Sequence, residues 1–416
     1  VASPSTSGVL AVHGFGKASL ESLLAVRGAG AIPAQARFDA LARFEELPLT
    51  TILKGGRGWK RDLTKLDHSN VRAFEANDAT LVPEVPASVA ARGVIVSSLA
   101  VAARDHAAEF AAAFGTASDT RDDKFASLAL AFQDAGFFVY VPAGVQIDEP
   151  LILNYAAGEA AYFPYTLIVL GEGARATAIE RIKSAGGAPF VCGITEIVAG
   201  PRADLTYAAY QAANESDTTF VMTRRAALGS DAHLALCLAE MGAAHAVERV
   251  RVTAGARGAR ADVTALFFAN ASQHVDVGSE VVHAAPATTS HTVVRSAGTG
   301  KGQGRYLGNI KILADAHGSD ATLRDDALLL SADAHVDSVP ALEIAANDVK
   351  AFHGATVGAI SEDELFYAQS RGIPPEEAER MIALGFFEPA IARFPGEALR
   401  EELRVALAAK LDGKAS

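Results

Sequence analysis

The chain has 416 residues, half of them apolar, enough for two or three domains or for one long repetitive core with helical ends. A net charge of −12 without any basic run argues against a nucleic-acid footprint, and no apolar run approaches the ~20 residues that span a bilayer. Two distant cysteines, Cys192 and Cys237, form neither a disulfide framework nor a zinc module and fit a reducing cytoplasm.

The opening VASPSTSGVLAVHGFG lacks the basic-then-apolar order of a signal peptide. Residues 17–46 read as helical, with one segment closing at Gly28 and a second opening near Pro33. GGRGWKRDL, with the only tryptophan, reads as a surface loop. Two further helices fit ARDHAAEFAAAFG and RDDKFASLALAFQDAG, the second capped by Asp119 or Thr120. The chain is therefore mainly helical over residues 1–135.

At FFVYVPAGVQIDEPLIL the texture changes to β-branched and aromatic runs broken by turn residues, and it stays so over 136–358. Similar words open strands at Ala176, Ala203, Ala232 and Ala261, 27–29 residues apart, and SHTVVRS around His291 continues the phase. Such a period points to a stacked solenoid, each coil burying a face on the next. A β-sandwich is the alternative, weakened by the absence of hairpin words such as Asn-Gly. Residues 359–416 return to helix: SEDELFYAQSRG has a capping box from Ser361 to Glu364 and closes at Gly372, and two more amphipathic helices follow.

Few motifs carry chemistry. GTGKGQGRYLG fits neither phosphate-loop pattern, since strand-like NIKILA follows it, and reads as a solenoid corner. His233 and His245, or His283 and His291, lack the local spacing of a zinc site, and both cysteines read as small buried hydrophobes. Asp325–Asp326 and Asp333–Asp337 could be the paired carboxylates of a sugar-cleaving solenoid, but RDDALLLSADAHVDSVP reads better as turn, strand, turn, with its acids at solvated corners. His353 stands out because Gly354 and Ala355 leave room beside it; a metal ligand, a base and a packed strand-end histidine all remain open.

LLLSADAHVDSVPALEIAANDVKAFHGATVGAISEDELFYAQSRGIPPEEAERMI resembles the signature of the SufB/SufD family of iron–sulfur cluster assembly proteins. P-x-LEI, HGATVG and LFY-x-x-SRGI, in that order, are similar to its SufD branch. FEELPLTTILKGGRGWKRDLTKLD and FFVYVPAGVQIDEPLIL extend the likeness upstream. The resemblance implies a mainly β fold, a right-handed parallel β-helix flanked by N- and C-terminal helical regions. It implies a non-enzymatic scaffold that pairs with a SufB-like paralogue through the β-helix ends and binds a SufC-like ATPase through the C-terminal helices. No tightly bound cofactor is implied for the isolated chain, only a transient iron–sulfur cluster in the complex. His353 matches the histidine that faces the SufB-like partner as cluster ligand or base, and Leu365, Phe366, Tyr367 and Arg371 are the candidate ATPase contacts. Many relatives carry a cysteine two residues before the histidine; here Ala351 stands there, so thiolates would come from the partner. The alternatives are a solenoid carbohydrate enzyme and a homo-oligomeric scaffold, the chain alone forming a homodimer; neither membrane nor nucleic acid is expected as a partner.

Overall fold

The computed structural model describes residues 15–47, 87–117, 123–158, 161–184 and 190–413. Helices Lys17–Arg27 and Ala34–Glu46 open it, with shorter ones at Ala87–Ala90, Leu99–Asp105, Ala107–Ala113 and Lys124–Phe132. The single helix expected over ARDHAAEFAAAFG is two, because His106 leaves helical geometry at φ −131°. Asp119, Thr120 and the GGRGWKRDL loop lie outside the described residues. The cap of Lys124–Phe132 is Asp123, whose carboxylate accepts from the N–H groups of Phe125 and Ala126, both at 3.0 Å.

The strands are β1 (Ile95–Ser98), β2 (Ala135–Val141), β3 (Leu151–Ala157), β4 (Pro164–Leu170), β5 (Arg175–Ser184), β6 (Phe190–Ala199), β7 (Asp204–Ala212) and β8 (Thr219–Leu228). They continue with β9 (His233–Glu240), β10 (His245–Ala254), β11 (Arg260–Ala269), β12 (His274–His283), β13 (Thr289–Gly298), β14 (Gln303–Ile312), β15 (Ser319–Leu329), β16 (His335–Ile344) and β17 (Val349–Gly358). From β2 onward each strand pairs in parallel with the strand two places on. The even strands therefore form one sheet and the odd strands another. The result is a parallel β-solenoid of about seven turns, not a sandwich.

Most coils repeat every 29 residues, as in Tyr165↔Ile194 and His274↔Gln303; Thr219↔His245 is shorter and Gln303↔His335 longer. Ala203 and Ala232 lie in register, since Asp204 pairs with His233. Ala176 and Ala261 do not: they pair with Leu205 and Leu234, two residues out of phase.

The regular marker is instead a corner. Gly144, Gly173, Arg202, Asp231, Gly258, Ala287 and Gly318 stack there with φ between 54° and 74°. Each sends its N–H to a carbonyl of the next coil, Asp231 to Arg257 at 2.9 Å and Ala287 to His317 at 2.8 Å. The left-handed conformation aims that N–H along the stack, which explains the frequency of glycine. GTGKGQG supplies the turn between β13 and β14. There Gly302 packs so closely that a Cβ would lie 2.2 Å from the Ala269 carbonyl oxygen.

Inward side chains fill the lumen with residues such as Leu153, Leu236, Phe267 and Ile310. The N-terminal helices bury Phe44, Phe125 and Phe132 against the outside of the even sheet. The C-terminal helices Pro375–Ile391 and Glu397–Leu411 bury Phe387, Leu403 and Leu407 against Cys237, Leu266 and Phe268 on the outside of the odd sheet. At the first coil β1 pairs antiparallel with β2 and becomes the even sheet's outermost strand, and Val89 and Val94 pack onto the lumen core. At the last coil, among the described residues, no strand lies beyond β16 or β17.

Candidate functional site

Both sheets end in ten-residue strands whose outer backbone edges are unpaired, an arrangement that invites another chain. Pro340 lies within β16; it cannot donate to a ladder and suits an edge strand. Ile344, Phe352 and Val357 are exposed there by 45%, 59% and 42%.

His353 sits in this last coil. It pairs in register with inward-facing Leu323, and its Nδ1 is buried without a partner. Ala351, two residues earlier, packs against the lumen core. The room beside His353 is partly used: a Cβ on Gly354 would lie 3.2 Å from Cζ of Phe352, whose ring lies across the glycine.

One rung below lies an acid that the sequence reading placed elsewhere. Asp325 is not at a solvated corner but wholly enclosed within β15, because alternation along the strand turns it inward. Burial pushes its carboxyl up to about 7, although Ser338 of β16 donates to Oδ2. Oδ1 has no partner. Asp326, on the opposite face, pairs with Arg295 and Arg324. Asp333 is exposed in the following turn, and Asp337 on β16 bonds His335 at 2.6 Å. These four acids form no exposed pair across a cleft, as sugar cleavage would require.

Beyond Gly358 the helix Glu362–Ser370 begins at Ser361, whose side chain makes no capping bond, so the expected box with Glu364 is not closed. The acidic first turn of Glu362, Asp363 and Glu364 complements the helix dipole instead. Leu365 is half-buried and lines a groove with Leu329, Leu330 and Ile360, at the edge of the last coils. Phe366 and Tyr367 are exposed by 73% and 61%, and the Arg371 guanidinium stands 5.1 Å from the Tyr367 ring centroid. Tyr367 and Arg371 line a second groove with Ile373 and Met381. Leu365 thus faces the solenoid side, whereas Phe366, Tyr367 and Arg371 face outward.

The other singled-out residues lie away from this end. His233 on the outer face bridges Asp204 at 2.9 Å and Asp262 at 3.0 Å, and those bonds raise it to about 9. His283 is buried between the Thr288 and Ser290 hydroxyls, and burial lowers it to about 4. Burial pushes the Cys192 thiol well up and Cys237 to about 12, so both are unreactive packing residues. Among the described residues no three His, Cys, Asp or Glu side chains converge to hold a metal.

A cluster inside the lumen escaped the sequence reading. Arg224 donates to Glu180 and Thr195, each at 2.7 Å, and to the Tyr207 hydroxyl, while its Nε lies 2.9 Å from Glu248. Glu240 lies wholly buried beside Glu248, and burial raises both carboxyls. Strand charges ordinarily read as solvent-facing; only the inward phase, fixed by the corner, would have revealed them.

The chain is thus a parallel solenoid with helices packed on both outer faces, and comparison with known proteins identifies its family. Residues 152–386 match the SUF system FeS cluster assembly, SufBD core domain, and residues 53–153 match the SufBD protein N-terminal region. The chain belongs to the SufBD family of iron–sulfur cluster assembly proteins. It is 28% identical over 317 residues to the iron-sulfur cluster assembly protein SufD of Bacillus subtilis, covering 75% of this chain and 72% of that protein. A SufBD family protein of Mycobacterium leprae is 31% identical over 62% of this chain, which spans only 30% of that relative. For a family protein of Staphylococcus epidermidis the figures are 28% identity, 74% of this chain and 66% of the relative. No helix among the described residues is long and apolar enough to cross a membrane.

Proposed function

We propose that the chain is a SufD-like, non-catalytic scaffold subunit of a SUF iron–sulfur assembly complex. It pairs with a SufB-like paralogue across the open edges of β16 and β17 and binds a SufC-like ATPase through its C-terminal helices. The observation that carries the reading is the last coil, where two unpaired edges, exposed Phe352 and an inward histidine meet at one end of a family scaffold. His353 contributes an imidazole, a ligand for iron, to a nascent cluster whose thiolates come from the partner. Both cysteines of this chain are buried on strands far from β17, which supports that division. The cluster is cargo, held transiently at the interface. The exposed Phe366, Tyr367 and Arg371 offer aromatic and guanidinium anchors of the kind that dominate protein interfaces.

Co-expression with SufB-like and SufC-like proteins tests this. The account expects co-purification of all three and an anaerobic iron–sulfur chromophore that is weakened or lost in His353→Ala. Failure of the three to associate would sink the scaffold reading.

A further inference from the structure

We propose that Asp325 is a positioning residue for His353, joined to it through one water molecule enclosed at the open end of the lumen. The inference deepens the proposed role of His353 and rests on it.

Two buried polar atoms lack partners there: Oδ1 of Asp325, an acceptor, and Nδ1 of His353, which can donate. Asp325 is 0% exposed. Buried polar atoms in folded proteins are almost always satisfied, by ordered water where no protein atom serves.

The register places the two together. His353 pairs with Leu323 and Ala355 with Asp325, so Asp325 and His353 are diagonal neighbours on adjacent strands and on the same inward face. Such positions lie about 7–8 Å apart along the backbone, a gap that two side chains and one water close.

The surroundings suit a water. Ser338 engages Oδ2 and leaves Oδ1 as the free oxygen. Ala355 brings only a methyl group to the rung above the acid. Tyr306 lies close enough for the Asp325 charge to act on its hydroxyl, which bonds Ser279 at 2.6 Å.

A carboxylate that accepts, through water, from Nδ1–H favours that imidazole tautomer, because its charge draws the water's hydrogens and turns a lone pair to the ring, and the Nε2 lone pair is left for a metal. Loss of such an outer partner typically weakens metal affinity about 10- to 100-fold.

The test uses the full chain with isotopically labelled histidine, its His353 signal assigned by its absence in His353→Ala. At about pH 8 the wild-type imidazole is expected as the Nδ1–H tautomer, a preference lost in the near-isosteric Asp325→Asn. In the three-protein complex, affinity for Co2+, the probe used for ferrous iron, should fall about 10- to 100-fold in the same variant. Ala355→Leu, which crowds the water while leaving both partners in place, should reproduce the loss and serves if Asp325→Asn does not fold. An unchanged tautomer and Co2+ affinity in a folded Asp325→Asn or Ala355→Leu chain overturns the inference. Normal cluster assembly by His353→Ala in the complex overturns the functional reading instead, and leaves the tautomer result standing.

Discussion

Glu240 and Glu248 illustrate what single residues contribute here. Both are enclosed in the lumen beside one arginine, and burial holds both above the usual glutamate range, Glu248 at about 7. In the unfolded chain they titrate near ~4.3, so above that pH the folded state binds more protons than the unfolded one. The stability of the protonated pair is complete below that value and is lost as pH rises through about 7. Glu240→Gln should therefore gain on wild type as pH rises from about 5 to about 8, read as a Tm difference that widens with pH. A Tm difference that does not grow with pH contradicts this. His283 acts in the opposite sense: its folded value, about 4, lies below the ordinary 6.5, so stability present at neutral pH is lost as pH falls toward 4. The acid limb of Tm against pH should flatten in His283→Gln, whatever that variant's stability at neutral pH. Neither group was legible in the sequence. A glutamate in ERVRVTAG looks solvent-facing until the inward phase of the strand is known, and Asp325 was misplaced for the same reason.

Elements were read more successfully than residues. The helical ends, the strand-rich middle and the corner at GTGKGQG follow from local pattern, because helix periodicity and turn residues are local properties. Register is not local. The repeated alanine words slipped two residues at Ala176 and Ala261 because small residues recur on both sides of the corner. The conserved geometry lies in a backbone conformation that Gly258, Arg202 and Ala287 all adopt without sharing a side chain. That conformation strains a residue with a Cβ. Ala287→Gly should raise stability by about 0.5–1 kcal/mol, the relief of strain exceeding the entropy of the added glycine, as measured by the urea midpoint. Gly258→Ala should lower it, since φ is 74° and a Cβ there would lie 2.1 Å from Oδ1 of Asp231. Equal midpoints for all three chains would show that the corner tolerates any residue.

At the scale of the whole molecule the two ends differ. At the first coil, where β1 and β3 are outermost, Val89 and Val94 pack onto the lumen core, whereas the last coil leaves three apolar side chains of β16 and β17 exposed. The C-terminal helices start from that same coil, so the two proposed partner surfaces are neighbours joined through residues 359–361. They should nonetheless separate by mutation. Phe352→Glu is expected to abolish capture of the SufB-like partner and spare the ATPase; Phe366→Glu should do the reverse, both with wild-type Tm. Pull-down of each partner with each variant reads this directly, and equal effects on both partners would merge the surfaces into one. The family signature made the β-helix with helical ends legible in advance, but the depth of His353 and the acid beneath it came only from the stacked coils. The most direct measurement is the anaerobic absorption spectrum of the three-protein complex reconstituted with iron and sulfide, wild type against His353→Ala. The account predicts an intact complex with the chromophore weakened or lost; a mutant complex that assembles cluster at the wild-type rate contradicts it.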